Sequence, residues 1–255
     1  MNVFNWASKL GRTLLDLLYP IFCVGCRQPG TLYCPACREA VRRLTPPLCP
    51  LCGQPQETSR ICPQCASTLS RQSRRPPLDG IRSVAYLEGS LRDAIYGLKY
   101  HYIRELAQPL GDLLVDYYQS TPLPADTIAP VPLHRRRQRE RGYNQSALLA
   151  RRLGAVTGIP VRSDLLRRHR YTRSQTRLNA QQRALNVQGA FSGVKQHDAQ
   201  QAIGGKKVLL IDDVATTGAT LEACALALRA QGACSVWALT VARATPDQDS
   251  IAHLV

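Results

Sequence analysis

The chain has 255 residues, which is long for one compact domain and sufficient for a small module plus a larger domain. Its formal net charge of +15 indicates a surface that attracts polyanions: nucleic acid, phosphorylated small molecules or anionic lipid. No stretch approaches the roughly 20 apolar residues of a membrane span, so we expect no transmembrane segment.

Residues 1–20 carry leucines at helical spacing, which predict a short amphipathic helix that packs on the protein. A peripheral contact with a membrane or a partner is the alternative. Asp16 interrupts the apolar part and no small-residue cleavage site follows, so we do not expect a signal peptide. These leucines are Leu10, Leu14, Leu17 and Leu18.

Residues 21–66 contain eight of the ten cysteines, arranged as four C-x-x-C pairs. Two such pairs supply the four thiolates of a tetrahedral zinc site, and without a secretion signal metal binding in a reducing cytoplasm is the better interpretation. The short spacers within each half favour sequential pairing, with one Zn²⁺ on the first four cysteines and another on the last four; interleaved pairing stays open. The pairs are Cys23/Cys26, Cys34/Cys37, Cys49/Cys52 and Cys62/Cys65.

All-cysteine zinc sites are closed and structural, so the metal is expected to replace a hydrophobic core rather than to catalyse. Iron–sulfur binding fits the spacing poorly, and four repeated pairs do not suggest thioredoxin-like redox chemistry. Gly25 and Gly53 suit the turns that aim backbone amides at thiolates.

Residues 67–80 are polar and basic and predict a linker, residues 81–245 alternate strands and helices, and residues 246–255 are expected to be a tail. This order predicts a parallel sheet flanked by helices, with ligands beyond the carboxyl ends of the strands. Strands are predicted at 81–87, 127–131, 159–161, 207–211 and 235–241, and helices at 91–100, 103–118, 144–157 and 219–230.

The most informative run covers residues 208–220. Residues 208–211 are continuously apolar, as a strand buried on both faces requires. Asp212 and Asp213 follow at the end of that strand, and a small, hydroxyl-rich turn then opens a helix whose amides can cradle a phosphate. The turn and the helix start contain Ala215, Thr216, Thr217, Gly218, Ala219 and Thr220.

At these residues the chain resembles the phosphoribosyl-pyrophosphate (PRPP) signature of type I phosphoribosyltransferases, with four apolar residues, two acids and a Thr-Thr-Gly-x-Thr loop. The resemblance implies that Asp212 and Asp213 hold the ribose hydroxyls and that residues 215–220 hold the 5′-phosphate. Two carboxylates beside the ribose favour positive charge developing at C1 as pyrophosphate leaves, and Mg²⁺ would bridge pyrophosphate and ribose oxygens.

Two arginine-rich segments accompany this signature. The first follows the predicted strand at 127–131, where a type I domain places its pyrophosphate loop, and Arg135 and Arg141 are the candidate ligands. The second, residues 162–183, corresponds in that class to a hood over the substrate, with Arg173 and Gln175 as candidates; a disordered basic loop is the alternative. Tyr143 lies near these arginines and is interpreted as a core or hood residue rather than a base-stacking platform.

The whole chain resembles the ComF/GntX family of double-zinc-ribbon, phosphoribosyltransferase-like proteins linked to natural competence. The shared features are the cysteine module, the 208–220 loop, Leu98-Lys99-Tyr100, Val131-Pro132-Leu133, Arg141-Gly142-Tyr143-Asn144-Gln145 and Gln175…Arg183…Asn186-Val187…Phe191. The resemblance implies a cytoplasmic protein that helps internalise or process single-stranded DNA. A peripheral position at the inner membrane is the alternative location. PRPP, single-stranded DNA and a competence helicase or channel protein are the implied partners.

One departure bears on the reaction. Purine-salvage members of the class carry a base-handling acid in the loop after the acid pair, whereas this chain has Ala215-Thr216-Thr217, so hypoxanthine or guanine salvage is not expected. Two hypotheses follow: a phosphoribosyltransferase with an unidentified acceptor, or a nucleic-acid-binding accessory protein whose PRPP pocket is regulatory or vestigial. Lys99 is interpreted as a surface lysine, with a phosphate contact as the alternative.

Overall fold

The computed structural model describes residues 20–71, 76–170, 189–194 and 203–244. The predicted N-terminal helix, the hood candidates Arg173 and Gln175, and the predicted tail lie outside these ranges. Within them no helix is long and apolar enough to cross a membrane.

Four parallel strands form the central sheet, in the order β1-β6-β5-β2. Val161 forms a further parallel bridge with Ile128 beside β2, where the sequence predicts a short strand. A separate antiparallel pair, β3 with β4, forms the second sheet. The strands are β1 Gly80–Tyr86, β2 Thr127–Pro130, β3 Leu166–Arg168, β4 Phe191–Gly193, β5 Lys207–Ala215 and β6 Ser235–Arg243.

Helices cover both faces of the central sheet, which confirms the predicted fold class. Alternate residues of β5 point to opposite faces: Leu209 and Ile211 pack with one buried cluster, and Val208 and Leu210 with the other. The first cluster contains residues of α3, α4 and α6, and the second contains residues of α7. The helices are α1 Pro35–Glu39, α2 Pro63–Arg71, α3 Gly89–Tyr100, α4 Ala107–Ser120, α5 Arg135–Arg141, α6 Gln145–Thr157 and α7 Ala219–Ala230, with a 3-10 turn at Arg104–Leu106.

The cysteine module packs directly on this α/β domain. Cys23 and Cys37 belong to the same buried cluster as the inner face of α3. Residues 42–44 run beside β1 in the antiparallel direction, where Leu44 N donates to Val84 O at 2.9 Å and Tyr86 N donates to Arg42 O at 3.0 Å. The module therefore extends the edge of the sheet and contributes to its core.

The structure departs from the predicted elements in four places. The segment expected to be a pyrophosphate loop forms helix α5 over Arg135–Arg141, and the aperiodic arginine-rich stretch contributes strand β3. Helix α2 continues to residue 71, into the segment predicted as linker. Strand β5 also continues past residue 211, so the acid pair lies within the strand rather than after it.

Candidate functional site

The acid pair lies at the carboxyl end of β5 and is buried. Asp212 and Asp213 are 9% and 3% exposed. Ser146, in the first turn of α6, donates from Oγ to Asp212 Oδ1 at 2.7 Å, and the backbone N–H of Asp213 donates to the same oxygen at 2.9 Å. A helix beside the strand thus fixes the orientation of the first carboxylate.

Lys99 holds the second carboxylate. Its Nζ lies 2.8 Å from Asp213 Oδ1, so it is an internal counter-ion rather than the surface lysine that the sequence suggests. Tyr143 donates from its hydroxyl to Leu98 O at 2.5 Å and anchors the last turn of α3, consistent with its interpretation as a core residue. Asp213 Oδ2 is buried and has no hydrogen-bond partner among the described residues. That oxygen is an acceptor to which a ligand hydroxyl can donate.

Burial and charge shift the ionisation of this cluster. Burial raises the pKa of Asp212, the charge of Asp213 raises it further, and Lys99 and Ser146 oppose them, with a net pKa of about 7. For Lys99, burial would lower the pKa, but the charge and hydrogen bond of Asp213, together with the charges of Tyr100 and Asp212, outweigh it and the pKa is raised. Lys99 is therefore charged at neutral pH, whereas Asp212 is poised to gain or lose a proton there.

The loop after β5 leads through Gly218 into helix α7. Gly218 adopts φ 83° immediately before α7, a left-handed conformation that favours glycine, and a Cβ at this position would also lie 2.9 Å from Ile81 Cδ1. Thr217 Oγ1 accepts from Ala219 N at 3.4 Å and helps to start the helix. Of the predicted phosphate residues, Ala215 ends β5, residues 216–218 form the bend, and Ala219 and Thr220 begin α7; their contact with a phosphate remains a prediction.

The first arginine segment follows β2, so it begins at the same edge of the sheet as the acid pair. Helix α5 begins where His134 Nδ1 accepts from Arg136 N at 3.2 Å and ends at Gly142, which adopts φ 78°. Arg141 donates to Gln145 Oε1 at 2.5 Å, and its guanidinium lies 5.8 Å from the centre of the Tyr100 ring. Arg135 is exposed. Their assignment to pyrophosphate remains a prediction.

The eight module cysteines form two tetrads in sequential order, as predicted. Within each tetrad the sulfur atoms lie within 4.8 Å of one another. In both, a backbone N–H reaches the first cysteine: Cys34 N donates to Cys23 Sγ and Cys62 N to Cys49 Sγ, each at 3.4 Å. For Cys23, burial would raise the thiol pKa, but the N–H groups outweigh it and lower the pKa to about 6. Preformed S₄ sets with thiolate-stabilising amides fit structural zinc ribbons.

Sequence reasoning missed the partners of the acid pair. Ser146 carries no motif of its own; its only signal is its position one residue into the helix opened by Gln145. Lys99 stands in a tripeptide shared with the resembled family, but nothing in that tripeptide indicates that it reaches Asp213. Both residues come from segments remote in sequence, and only the fold brings them together.

Comparison with known proteins identifies both parts of the chain. Residues 14–66 match the double zinc ribbon domain family, and residues 140–252 match the phosphoribosyl transferase domain family. The glutamine PRPP amidotransferase of B. subtilis, solved with ADP and GMP, is 23% identical, covering 52% of this chain and 26% of its own, with a TM-score of 0.36.

Full-length relatives match almost end to end. The DNA utilization protein YhgH of Salmonella typhi is 34% identical over 235 residues, covering 88% of this chain and 98% of the relative. Competence protein ComFC of Bacillus subtilis is 29% identical, covering 85% and 86%, and competence protein F of Haemophilus influenzae is 30% identical, covering 85% and 95%. The chain therefore belongs to the family of double-zinc-ribbon proteins with a phosphoribosyltransferase domain that includes YhgH and ComF.

Proposed function

We propose that the chain binds PRPP with Mg²⁺ at the end of β5 and transfers its phosphoribosyl group to an acceptor during the uptake or use of single-stranded DNA. One observation supports the PRPP site most directly. The buried acid pair is followed by a short loop, in which Gly218 has a positive φ, and by the start of helix α7. The names of the relatives, a DNA utilization protein and two competence proteins, support the biological setting.

The ribose and the 5′-phosphate would occupy adjacent parts of this site. Asp213 Oδ2 and the carboxylate of Asp212 accept from the ribose hydroxyls, and the backbone N–H groups of residues 216–220 donate to the phosphate. The two carboxylates stabilise positive charge at C1 as the C1–pyrophosphate bond breaks. Mg²⁺ carried with PRPP would neutralise charge on the departing pyrophosphate.

Lys99 prepares the site for this charge. In the ligand-free protein its ammonium compensates Asp213, which would otherwise be a buried carboxylate without a counter-ion. Its position 2.8 Å from that carboxylate also places a cation beside the ribose end of the pocket. Arg135 and Arg141, on α5 at the same edge of the sheet, are the proposed pyrophosphate ligands.

The second candidate is an accessory protein that binds single-stranded DNA and uses the PRPP pocket for regulation, or does not use it. The net charge of +15 favours it, since such a surface attracts nucleic acid. As an accessory protein, the chain would bind a competence helicase or channel protein, either in the cytoplasm or at the inner membrane.

Calorimetric titration of Mg²⁺·PRPP into zinc-loaded protein tests the pocket. We expect the wild type to bind and the Asp212→Asn/Asp213→Asn variant to lose binding, whereas Asp116→Asn, which removes an exposed acid on α4, should bind as the wild type does. No binding by folded wild type would overturn the PRPP site. Binding without pyrophosphate release across a panel of bases, nucleotides and DNA ends would favour the accessory protein.

A further inference from the structure

A second cleft lies beside the proposed PRPP site, between α5, α6 and β3, with a volume of about 380 Å³. Its floor includes Leu133, Ala147, Leu148 and Leu166. Aspartate and glutamate are absent from the described residues that line it. Five arginines from four segments surround it: Arg104, Arg135, Arg151, Arg167 and Arg168.

The cleft adjoins the acid pair: Arg168, in its lining, is close enough for its charge to interact with that of Asp212, and Arg135 is shared with the proposed pyrophosphate contacts. On α6, Ala147, Leu148 and Arg151 line the cleft, whereas Ser146 turns to Asp212. The contacts of the acid pair come from Ser146, Lys99 and its own backbone, so Arg151 and Arg167 can be changed without removing any of them.

Two of the cleft arginines have no carboxylate partner among the described residues. Arg151 and Arg167 are exposed, and neither forms an ion pair with a carboxylate in the ranges that the structure describes. Arg168 is buried, with its guanidinium 5.2 Å from the centre of the Phe191 ring; burial lowers its pKa, and the charge of Arg137 lowers it further. Like charges gathered around an apolar floor are stabilised by a bound anion.

Two exposed tyrosines lie within four residues of Arg104, which lines the cleft. Tyr100 and Tyr102 are 52% and 59% exposed, and Tyr102 has φ 58°, a left-handed conformation uncommon for a bulky residue. Arg104, which lines the cleft, donates its N–H to Tyr102 O at 2.9 Å. The backbone of Tyr102 is therefore tied to a residue that lines the cleft.

We propose that this surface is a track for single-stranded DNA, with phosphodiester groups in the arginine cleft and unpaired bases stacked on Tyr102 and Tyr100. Guanidinium groups bind phosphate oxygens, and exposed aromatic rings stack on bases that a duplex keeps paired. The inference rests on the DNA-related part of the proposed function and not on PRPP binding. Tyr143 also lines the cleft, but it is partly buried and its hydroxyl donates to Leu98 O, so it is not proposed as a stacking platform.

The arginine part is tested by fluorescence anisotropy with a labelled oligothymidylate at several salt concentrations. Arg151→Ala/Arg167→Ala should weaken binding and lower the slope of log affinity against log salt by about 1.4, because each lost phosphate contact on a single strand lowers it by about 0.7. The matched control is Arg60→Ala/Arg92→Ala, which removes the same charge from two exposed positions away from the cleft and should change the slope little.

The tyrosine part has a different signature. Tyr102→Ala should weaken oligothymidylate binding roughly tenfold without changing the salt slope, because stacking releases no counterions. Tyr102→Phe keeps the ring and should bind as the wild type does. The duplex form of the same oligonucleotide should be insensitive to Tyr102→Ala.

The track would be overturned by equal weakening in the cleft and control arginine pairs, or by wild-type affinity in Tyr102→Ala. Failure of the wild type to bind oligothymidylate would do the same. The calorimetric PRPP titration, run on the same variants, separates the two proposals. Arg151→Ala/Arg167→Ala and Tyr102→Ala should bind PRPP normally, so loss of the track leaves the PRPP site standing, and loss of PRPP binding in the acid-pair variant leaves the track standing.

Discussion

At the scale of single residues, Asp212 has an unusual ionisation equilibrium. Burial and the neighbouring carboxylate raise its pKa to about 7, and its hydrogen bonds with Ser146 and Asp213 N fix its position. A carboxyl group with such a raised pKa does not stabilise the folded protein. It suits the binding of a ligand that brings cations and hydroxyl groups with it.

The raised pKa predicts that Asp212 destabilises the folded protein at neutral pH. Between pH 4 and 7 the folded protein keeps a proton on Asp212 that the unfolded chain releases, so this contribution to stability falls as pH rises and is smallest above pH 7. Asp212→Asn should therefore raise the free energy of unfolding at pH 8 by on the order of 1 kcal/mol and by less at pH 5. Urea denaturation at the two pH values measures the difference.

The asparagine can still accept from Ser146 and from the backbone N–H of Asp213, so its effect isolates the charge. Asp116→Asn, on an exposed acid, is the control and should show no comparable pH dependence. A lower stability of Asp212→Asn at pH 8 would contradict the prediction. The gain in stability should accompany a loss of PRPP binding, the trade-off expected where a site is built for ligand rather than for folding.

Among the elements, those with a local signal are predictable from sequence. Both ends of helix α6 are marked in the sequence. Asn144 caps its N-terminus and accepts from Ser146 N at 3.0 Å, and Gly158, with φ 74°, caps its C-terminus. The core of β5 follows from its continuous apolar run. Its last residues do not, because two aspartates suggest a turn and only buried contacts from other segments keep them in the strand.

Elements without an apolar period are missed. Helix α5 has no buried residue, so no stripe marks it, and only the residues at its ends, His134 and Gly142, define it. Strand β3 pairs with β4 across a long intervening segment, a contact that local sequence cannot indicate. For the same reason the acid pair and its loop were predictable as a local motif, whereas Lys99 and Ser146 were not.

The first cysteine turn meets α3 at a glycine, and the contact predicts a specific defect. A Cβ at Gly25 would lie 2.5 Å from Ser90 Cβ and 3.0 Å from Cys37 Sγ. Gly25→Ala should therefore push the module away from α3 and lower the free energy of unfolding by about 1–3 kcal/mol. Urea denaturation of the zinc-loaded variant checks the loss.

Two comparisons separate crowding from other effects. Gly89→Ala, where nothing lies within 4 Å of the added Cβ, should lose only what its φ of 51° imposes. Ser90→Gly removes the crowded atom, so the double variant should be more stable than the sum of the single losses implies. Simple additivity would show that Gly25 does not report on the contact between module and helix.

At the scale of the whole molecule, helix α3 connects the first cysteine tetrad to the acid pair. At its start, Ser90 donates from Oγ to Cys37 O at 3.1 Å, against the first cysteine tetrad. At its end, Lys99 reaches Asp213. The second tetrad contacts the sheet instead, where Ile81 N donates to Leu51 O at 2.7 Å and Arg243 donates to Cys52 O at 2.6 Å. The zinc module is thus joined to both the core and the proposed site.

This connection predicts that removing zinc weakens both the fold and PRPP binding, and that the two metal sites do so unequally. Chelation should lower the melting temperature of the entire protein by on the order of 10 °C, because a loss of several kcal/mol acts on a shared core.

Cys26→Ser, in the tetrad against α3, should also speed amide exchange at the end of α3 and weaken PRPP binding. Cys65→Ser, in the other tetrad, should destabilise the protein with less effect on PRPP. Hydrogen exchange and calorimetry on the two variants make the comparison, and restored zinc should recover the chelated wild type. If the sheet and PRPP affinity survive chelation unchanged, the module folds apart from the site and the link through α3 is wrong.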